Sequence, residues 1–191
     1  MILDTNRLLV AFTGPPALGK STLAHAVAEK LGIKWIDHEV HIRVPYFGPG
    51  HPDPDASSEI REQFNIMQAA SYDVLFALAG AYLDLGRPLV VSAVFVSGRS
   101  QQNLREVVAG RGGVLKAIWC WSDTDTDERV VKRLAGRKFG EDYFGGVNDL
   151  ASYRSQKARW KQPPALPHLV LDTLAKSVSE CVADAMGYIA P

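Results

Sequence analysis

Residues 8–22 read Leu8-Leu9-Val10-Ala11-Phe12-Thr13-Gly14-Pro15-Pro16-Ala17-Leu18-Gly19-Lys20-Ser21-Thr22, and this stretch decides the fold. Leu8 to Phe12 is a continuous apolar run, which predicts a strand buried on both faces. After Ser21 the period changes. Leu23, Val27 and Leu31 recur every fourth residue as one apolar helical stripe, and Gly32 supplies the stop. Between strand and helix, Gly14 to Ser21 fit the pattern G-x-x-x-x-G-K-[ST]. A turn of this kind points backbone N–H groups at phosphate oxygens, and the helix behind it adds its positive end to the same anion. Lys20 then reaches the outer phosphates and the Ser21 hydroxyl takes Mg²⁺. Gly14, Pro15, Pro16, Ala17, Leu18, Gly19, Lys20, Ser21 and Thr22 are therefore the candidate nucleotide loop. No N-K-x-D guanine motif occurs, so the expected nucleotide is ATP.

Outward from this loop, strands and helices alternate. Short strands are expected at 33–36, 88–96, 114–121 and 168–173, and helices at 57–85, 101–109, about 126–134 and 150–160, with a last one opening at the Ser177–Glu180 capping box. Residues 44–56, rich in Pro, Gly and Asp, read as a loop. Five strands alternating with helices predict one doubly wound α/β domain over residues 1–191 with a parallel sheet. Ligands of such sheets bind at the carboxyl ends of the strands.

Composition narrows the partners. Lys plus Arg equals Asp plus Glu at 21 each, so there is no basic excess for a long nucleic acid. The two cysteines, Cys120 and Cys181, make no disulfide framework and read as buried thiols. No leader sequence and no apolar run of membrane-spanning length is evident, so a soluble cytoplasmic protein is expected, without a membrane partner.

The strand ends supply the chemistry. The second strand delivers Asp37-His38-Glu39 beside the phosphate loop. Asp37 is placed to order the water shell of Mg²⁺ or to take the proton of an attacking hydroxyl, and Glu39 is a second candidate acid. Arg43 and Arg99 lie where they can pair with an anionic group on an acceptor. The spacing of His38, His41 and His51 fits no zinc pattern. The third strand carries Ser92 where many nucleotide hydrolases carry a metal-binding Asp, which leaves Asp37 as the main acid near the metal. Arg129, Arg133 and Arg137, spaced by four, enter a polar, Gly-rich segment at 135–149 that reads as a lid. Such arginines neutralise phosphoryl charge, and one can stack on adenine.

Taken together, the chain resembles the P-loop small-molecule kinases: shikimate kinase, chloramphenicol phosphotransferase, the kinase domain of polynucleotide kinase, the zeta toxins and related AAA-family ATP-binding proteins. The likeness rests on the phosphate loop and on Asp37-His38-Glu39-Val40-His41-Ile42, similar to D-x-D-x-x-I. It rests also on Leu85 to Phe95, similar to L-G-x-x-V-V-x-D-A-x-F, on Arg129-x-x-x-Arg133, and on Asp172-Thr173. The resemblance implies an adenylate-kinase-like sheet of order 2-3-1-4-5 and transfer of the γ-phosphate of ATP, with Mg²⁺, to a hydroxyl of a small-molecule acceptor. It implies roles for Lys20, Asp37, Arg133 and Arg137 in catalysis, for Glu39 in binding substrate, and for Asp172 and Thr173 near adenine. A nucleoside or polynucleotide 5′-hydroxyl is the alternative acceptor. A nucleotide-binding switch with slow hydrolysis is the alternative outside that class. Ser92 and the Pro16-Ala17-Leu18 run depart from the group's usual residues, and residues 38–56 follow no single member.

Overall fold

The computed structural model describes residues 5–48, 52, 55–135, 149–160 and 164–190. Its strands are β1 (Leu8–Thr13), β2 (Lys34–Asp37), β3 (Leu89–Ser92), β4 (Val114–Trp121) and β5 (His168–Asp172). All pair in parallel, in the order β2-β3-β1-β4-β5. The helices are α1 (Lys20–Leu31), α2 (Val44–Phe47), α3 (Ser58–Asp84), α4 (Gly98–Ala109), α5 (Asp127–Ala135), α6 (Leu150–Ala158) and α7 (Val178–Ile189).

The apolar run of β1 is explained by its position. Leu8, Val10 and Phe12 pack under α1 and α7 with Val27, Ile118 and Val182, whereas Leu9 and Ala11 pack under α3 and α4 with Leu75, Leu83 and Leu104. A strand covered on both faces has no polar side to show. Cys120 and Cys181 are both buried thiols.

Three features differ from the sequence reading. Where a loop was expected from residue 44, a π-helical turn (His38–Arg43) runs directly into α2, with Pro45 in the first turn of that helix. Proline is tolerated there because the first-turn N–H has no helical partner. The strand expected over 88–96 keeps ladder pairing only to Ser92, because β1 ends beside it. The chain beyond stays tied by Ala93 N donating to the Phe12 carbonyl and Phe95 N to Thr13 Oγ1. Finally, α3 is long and apolar enough by composition to cross a membrane, a length of apolar chain the sequence reading did not register. Here it buries Leu75, Ala79 and Leu83 in the core and turns another face to a cavity.

Candidate active site

The site begins at the end of β1. Gly14 has φ +133°, and a Cβ on it would lie 2.2 Å from the Cys120 carbonyl oxygen, so only glycine lets the loop leave the sheet here. Leu18, unusual in such a loop by sequence, is buried in the α1–α7 core and pins the turn from below. Ala17 stands at φ +65° and Gly19 at φ +74°. Gly19 precedes α1 with no side-chain cap, which leaves the first N–H groups of that helix to an incoming anion. Lys20 is buried, and its Nζ donates to the Pro15 carbonyl at 2.9 Å.

Asp37 ends β2 opposite Ser92 in the β2–β3 register. Its Oδ1 accepts from the backbone N–H groups of Glu39 and Val40, each at 2.9 Å, and so caps the π-helical turn. Its Oδ2 accepts from Ser21 Oγ and from Ser92 Oγ, each at 2.6 Å. Ser92 in turn accepts from Trp35 Nε1 at 2.9 Å. One buried carboxylate thus joins the phosphate loop, β3 and the start of the acceptor region. A hydroxyl and a carboxylate in contact are hard oxygen donors of the kind Mg²⁺ takes.

The histidines of this segment are accounted for by packing. His41 Nδ1 accepts from Asp37 N at 2.9 Å, and its ring meets Trp35 edge-on. His38 is buried, stacks on Tyr72 at 4.1 Å and lies 2.8 Å from Ser71 Oγ. Ser71 spends its proton on the Gln68 carbonyl, so His38 Nε2 is the donor. Burial pulls the His38 pKa down to about 4 against the opposing pull of Glu39 and Asp37. The ring is therefore neutral at pH 7. Burial likewise pushes Tyr72 above the usual phenol range, and its hydroxyl donates to the Val94 carbonyl at 2.5 Å.

Glu39 and Arg43, both expected at the acceptor, are joined to each other. Arg43 Nε donates to Glu39 Oε2 at 2.8 Å, a second guanidinium nitrogen contacts Glu39 Oε1, and Nη1 reaches the Gly48 carbonyl. Arg43 is buried. Glu39 lines the cavity and Arg43 is not among its lining residues.

That cavity, about 550 Å³, opens beside Lys20, Ser21 and Asp37. Its walls come from α3, the end of β3 and the start of α4, Arg99 among them. Gln156 and Arg159, at the end of α6, line it too. Sequence reasoning missed them because α6 is held by remote partners. Asp125, after β4, accepts from Lys157 Nζ at 2.8 Å, Tyr153 Oη at 3.0 Å and Arg154 Nη1 at 2.9 Å. Burial works against the Asp125 charge, but these donors outweigh it and hold the carboxyl below its ordinary range.

On the far side of the phosphate loop, Arg129 Nη1 contacts Thr124 through its carbonyl oxygen and Oγ1, and Thr124 Oγ1 donates to Asp172 Oδ2 at 3.2 Å. Trp121 and Asp172 are register partners, and Thr173 N donates to the Trp121 carbonyl. Arg129, Asp172 and Thr173 are thus brought together. The Arg133 side chain, Arg137, His51 and most of the lid at 135–149 lie outside the described residues.

A five-stranded parallel sheet of this order, with a phosphate-binding loop at the end of its central strand, defines the P-loop nucleotide-binding class. Residues 9–182 match the family model described as AAA domain, and the chain belongs to that family. No curated protein matches the sequence. Among solved structures, a protein assigned as a kinase from Chloroflexus aurantiacus superposes with a TM-score of 0.70 at 22% identity, covering 96% of this chain and 98% of that one. A gluconokinase from Sinorhizobium meliloti gives 0.60 at 17% identity, with 94% and 90% covered. An APS kinase from Mycobacterium tuberculosis, solved with AMPPNP and APS, gives 0.58 at 21% identity, with 96% and 97% covered. These likenesses show that the fold is that of the P-loop kinases.

Proposed function

We propose that this protein is an ATP-dependent phosphotransferase whose acceptor is a small molecule held in the cavity between α3 and α4. The observation that carries the reading is the contact of Ser21 with Asp37 at the point where the phosphate loop opens onto that cavity. Triphosphate bound by residues 14–22 directs its γ-phosphoryl group toward the cavity. An acceptor hydroxyl oxygen forms the new P–O bond as the bond to the β-phosphate oxygen breaks. ADP leaves, and the hydroxyl proton passes to the phosphoryl oxygens or to water.

The side chains divide the work by position. Lys20, released from the Pro15 carbonyl, pairs with the outer phosphates. Ser21 and Asp37 would hold Mg²⁺, which would supply neutralisation of phosphate charge. Both oxygens of Asp37 already accept two hydrogen bonds each, so its geometry suits orienting the Ser21 hydroxyl better than taking the acceptor proton. Arg129, with Asp172 and Thr173, faces the nucleotide side, and Arg133 and Arg137 are the further arginines that the sequence offers for neutralising phosphoryl charge. Catalysis here is positioning and charge stabilisation.

The test is ADP release from Mg·ATP across a panel of hydroxylated metabolites, nucleosides and oligonucleotides. Acceptor-stimulated release that Lys20→Ala abolishes supports the reading. Slow hydrolysis that no acceptor changes would favour a nucleotide switch instead.

A further inference from the structure

The wall that α3 gives the cavity has a chemical character the transfer reaction leaves unused. Three carboxylates line the cavity: Asp37, Glu39 and Asp73. Asp37 is satisfied by four donors and Glu39 by Arg43. Asp73 is exposed on α3, and no described residue donates to it or pairs with it. Five residues earlier on the same helix, Gln68 also lines the cavity, and its side-chain Oε1 is sealed from solvent without a donor among the described residues. A buried acceptor without a donor is destabilising, and a ligand that supplies one gains what the protein lacks. The last side-chain torsion of glutamine is soft, so a modest turn presents that oxygen to a ligand. Phe64, Tyr72 and Phe76 of the same helix line the cavity too. Tyr72 spends its hydroxyl on Val94, so it offers the cavity only its ring.

A buried acceptor without a donor at Gln68 and a carboxylate at Asp73 without a partner among the described residues, beside aromatic side chains, suit a ligand that brings several hydroxyl donors together with C–H surface. We infer, on the basis of the phosphotransfer reading above, that Asp73 and Gln68 select a polyhydroxylated acceptor. Hydroxyls other than the one phosphorylated bond to these two side chains while the carbon skeleton lies on the rings. Neutral and amine-bearing polyols share this chemistry. A molecule with a single hydroxyl leaves the buried Gln68 oxygen without a donor and forgoes the Asp73 carboxylate, so it binds more weakly than a polyol.

The experiment uses the whole protein with Mg²⁺ and AMPPNP for calorimetry, and with Mg·ATP for ADP release. The probes are myo-inositol, D-glucose and D-glucosamine, with propan-1-ol and 2′,3′-dideoxyadenosine as single-hydroxyl controls. At least one polyol is expected to bind and the controls to bind more weakly, with D-glucosamine against D-glucose separating the amine-bearing from the neutral source. Asp73→Ala and Gln68→Leu should each raise the KM of the accepted polyol at least tenfold. Their kcat should stay within threefold and AMPPNP affinity, which also reports folding, should be unchanged; Asp73→Asn should restore part of the loss. Absence of binding by every polyol, equal binding by the controls, or an unchanged KM in Asp73→Ala overturns the inference. Polyol binding without phosphoryl transfer supports this site and removes the kinase reading. Transfer to a single-hydroxyl control, untouched by Asp73→Ala, removes this site and keeps the kinase reading.

Discussion

Ser92 Oγ stands 2.6 Å from Asp37 Oδ2 across the β2–β3 ladder and takes the Trp35 indole N–H at 2.9 Å. The serine occupies the strand position where a metal-binding Asp is frequent among resembling kinases, and it turns that position from a source of charge into a clamp on the Asp37 carboxylate. Ser92→Ala removes one donor from Asp37 and the acceptor of Trp35. A loss of about 1–3 kcal/mol is expected, measured as a shift in urea midpoint at constant slope. Ser92→Asp sets two carboxylates against each other, so its stability should fall further in EDTA and recover with Mg²⁺. An identical urea curve for Ser92→Asp with and without Mg²⁺ would remove the metal from this corner.

The close passage of Gly14 over β4 gives the second prediction. At φ +133°, with a Cβ held 2.2 Å from the Cys120 carbonyl, Gly14→Ala must move backbone. The left-handed strain and the clash together should cost about 3 kcal/mol or more. Far-UV circular dichroism and thermal unfolding check this. A variant within about 1 kcal/mol of the parent would mean that the loop shifts freely, and the placement of Lys20 would then lose its basis.

His38 gives the third. Its folded pKa, near 4, lies below the ordinary 6.5 because burial penalises the charged ring. Asp37 and Glu39 oppose the shift and Arg43 favours it. Between pH 4 and 6.5 the unfolded chain therefore binds the extra proton. Stability should rise with pH across that window and level off above it, by up to about 3 kcal/mol. His38→Gln keeps a donor for Ser71 without the titration. The difference in urea midpoints between parent and variant should shrink or reverse as the pH falls from 7 to 4.5. Parallel curves would show that His38 ionises freely in the folded protein.

The parts of this molecule legible in the sequence were those written in local runs. The apolar period of β1, the stripe of Leu23, Val27 and Leu31, the Ser177 and Glu180 capping box and the phosphate loop each depend on neighbours in the chain. The site residues were legible as types but not as partners. Nothing near residue 92 says that a serine there will meet Asp37, since strand register decides it. Gln156 and Arg159 were invisible because their helix is anchored by Asp125, some thirty residues away. The turn at His38–Arg43 has no apolar period; the cap at Asp37 and the pairing of Glu39 with Arg43 tie it instead.

Glu39 and Arg43 give the last prediction, because each suits an acceptor taken singly and the structure joins them. Arg43 is only 3% exposed, so its charge has almost no water to fall back on. Glu39→Gln should take a carboxylate from the buried guanidinium, at a cost of about 3 kcal/mol, whereas Glu39→Gln with Arg43→Met should recover much of that loss. A double-mutant cycle on urea midpoints reads the coupling directly. If Arg43 instead gripped the acceptor, Arg43→Met would raise the acceptor KM while leaving the urea midpoint near the parent value, and the coupling with Glu39 would vanish. A large coupling with a modest KM change places the pair in the scaffold of the turn, where it holds Glu39 against the cavity wall and fixes the rim on which Asp37 sits.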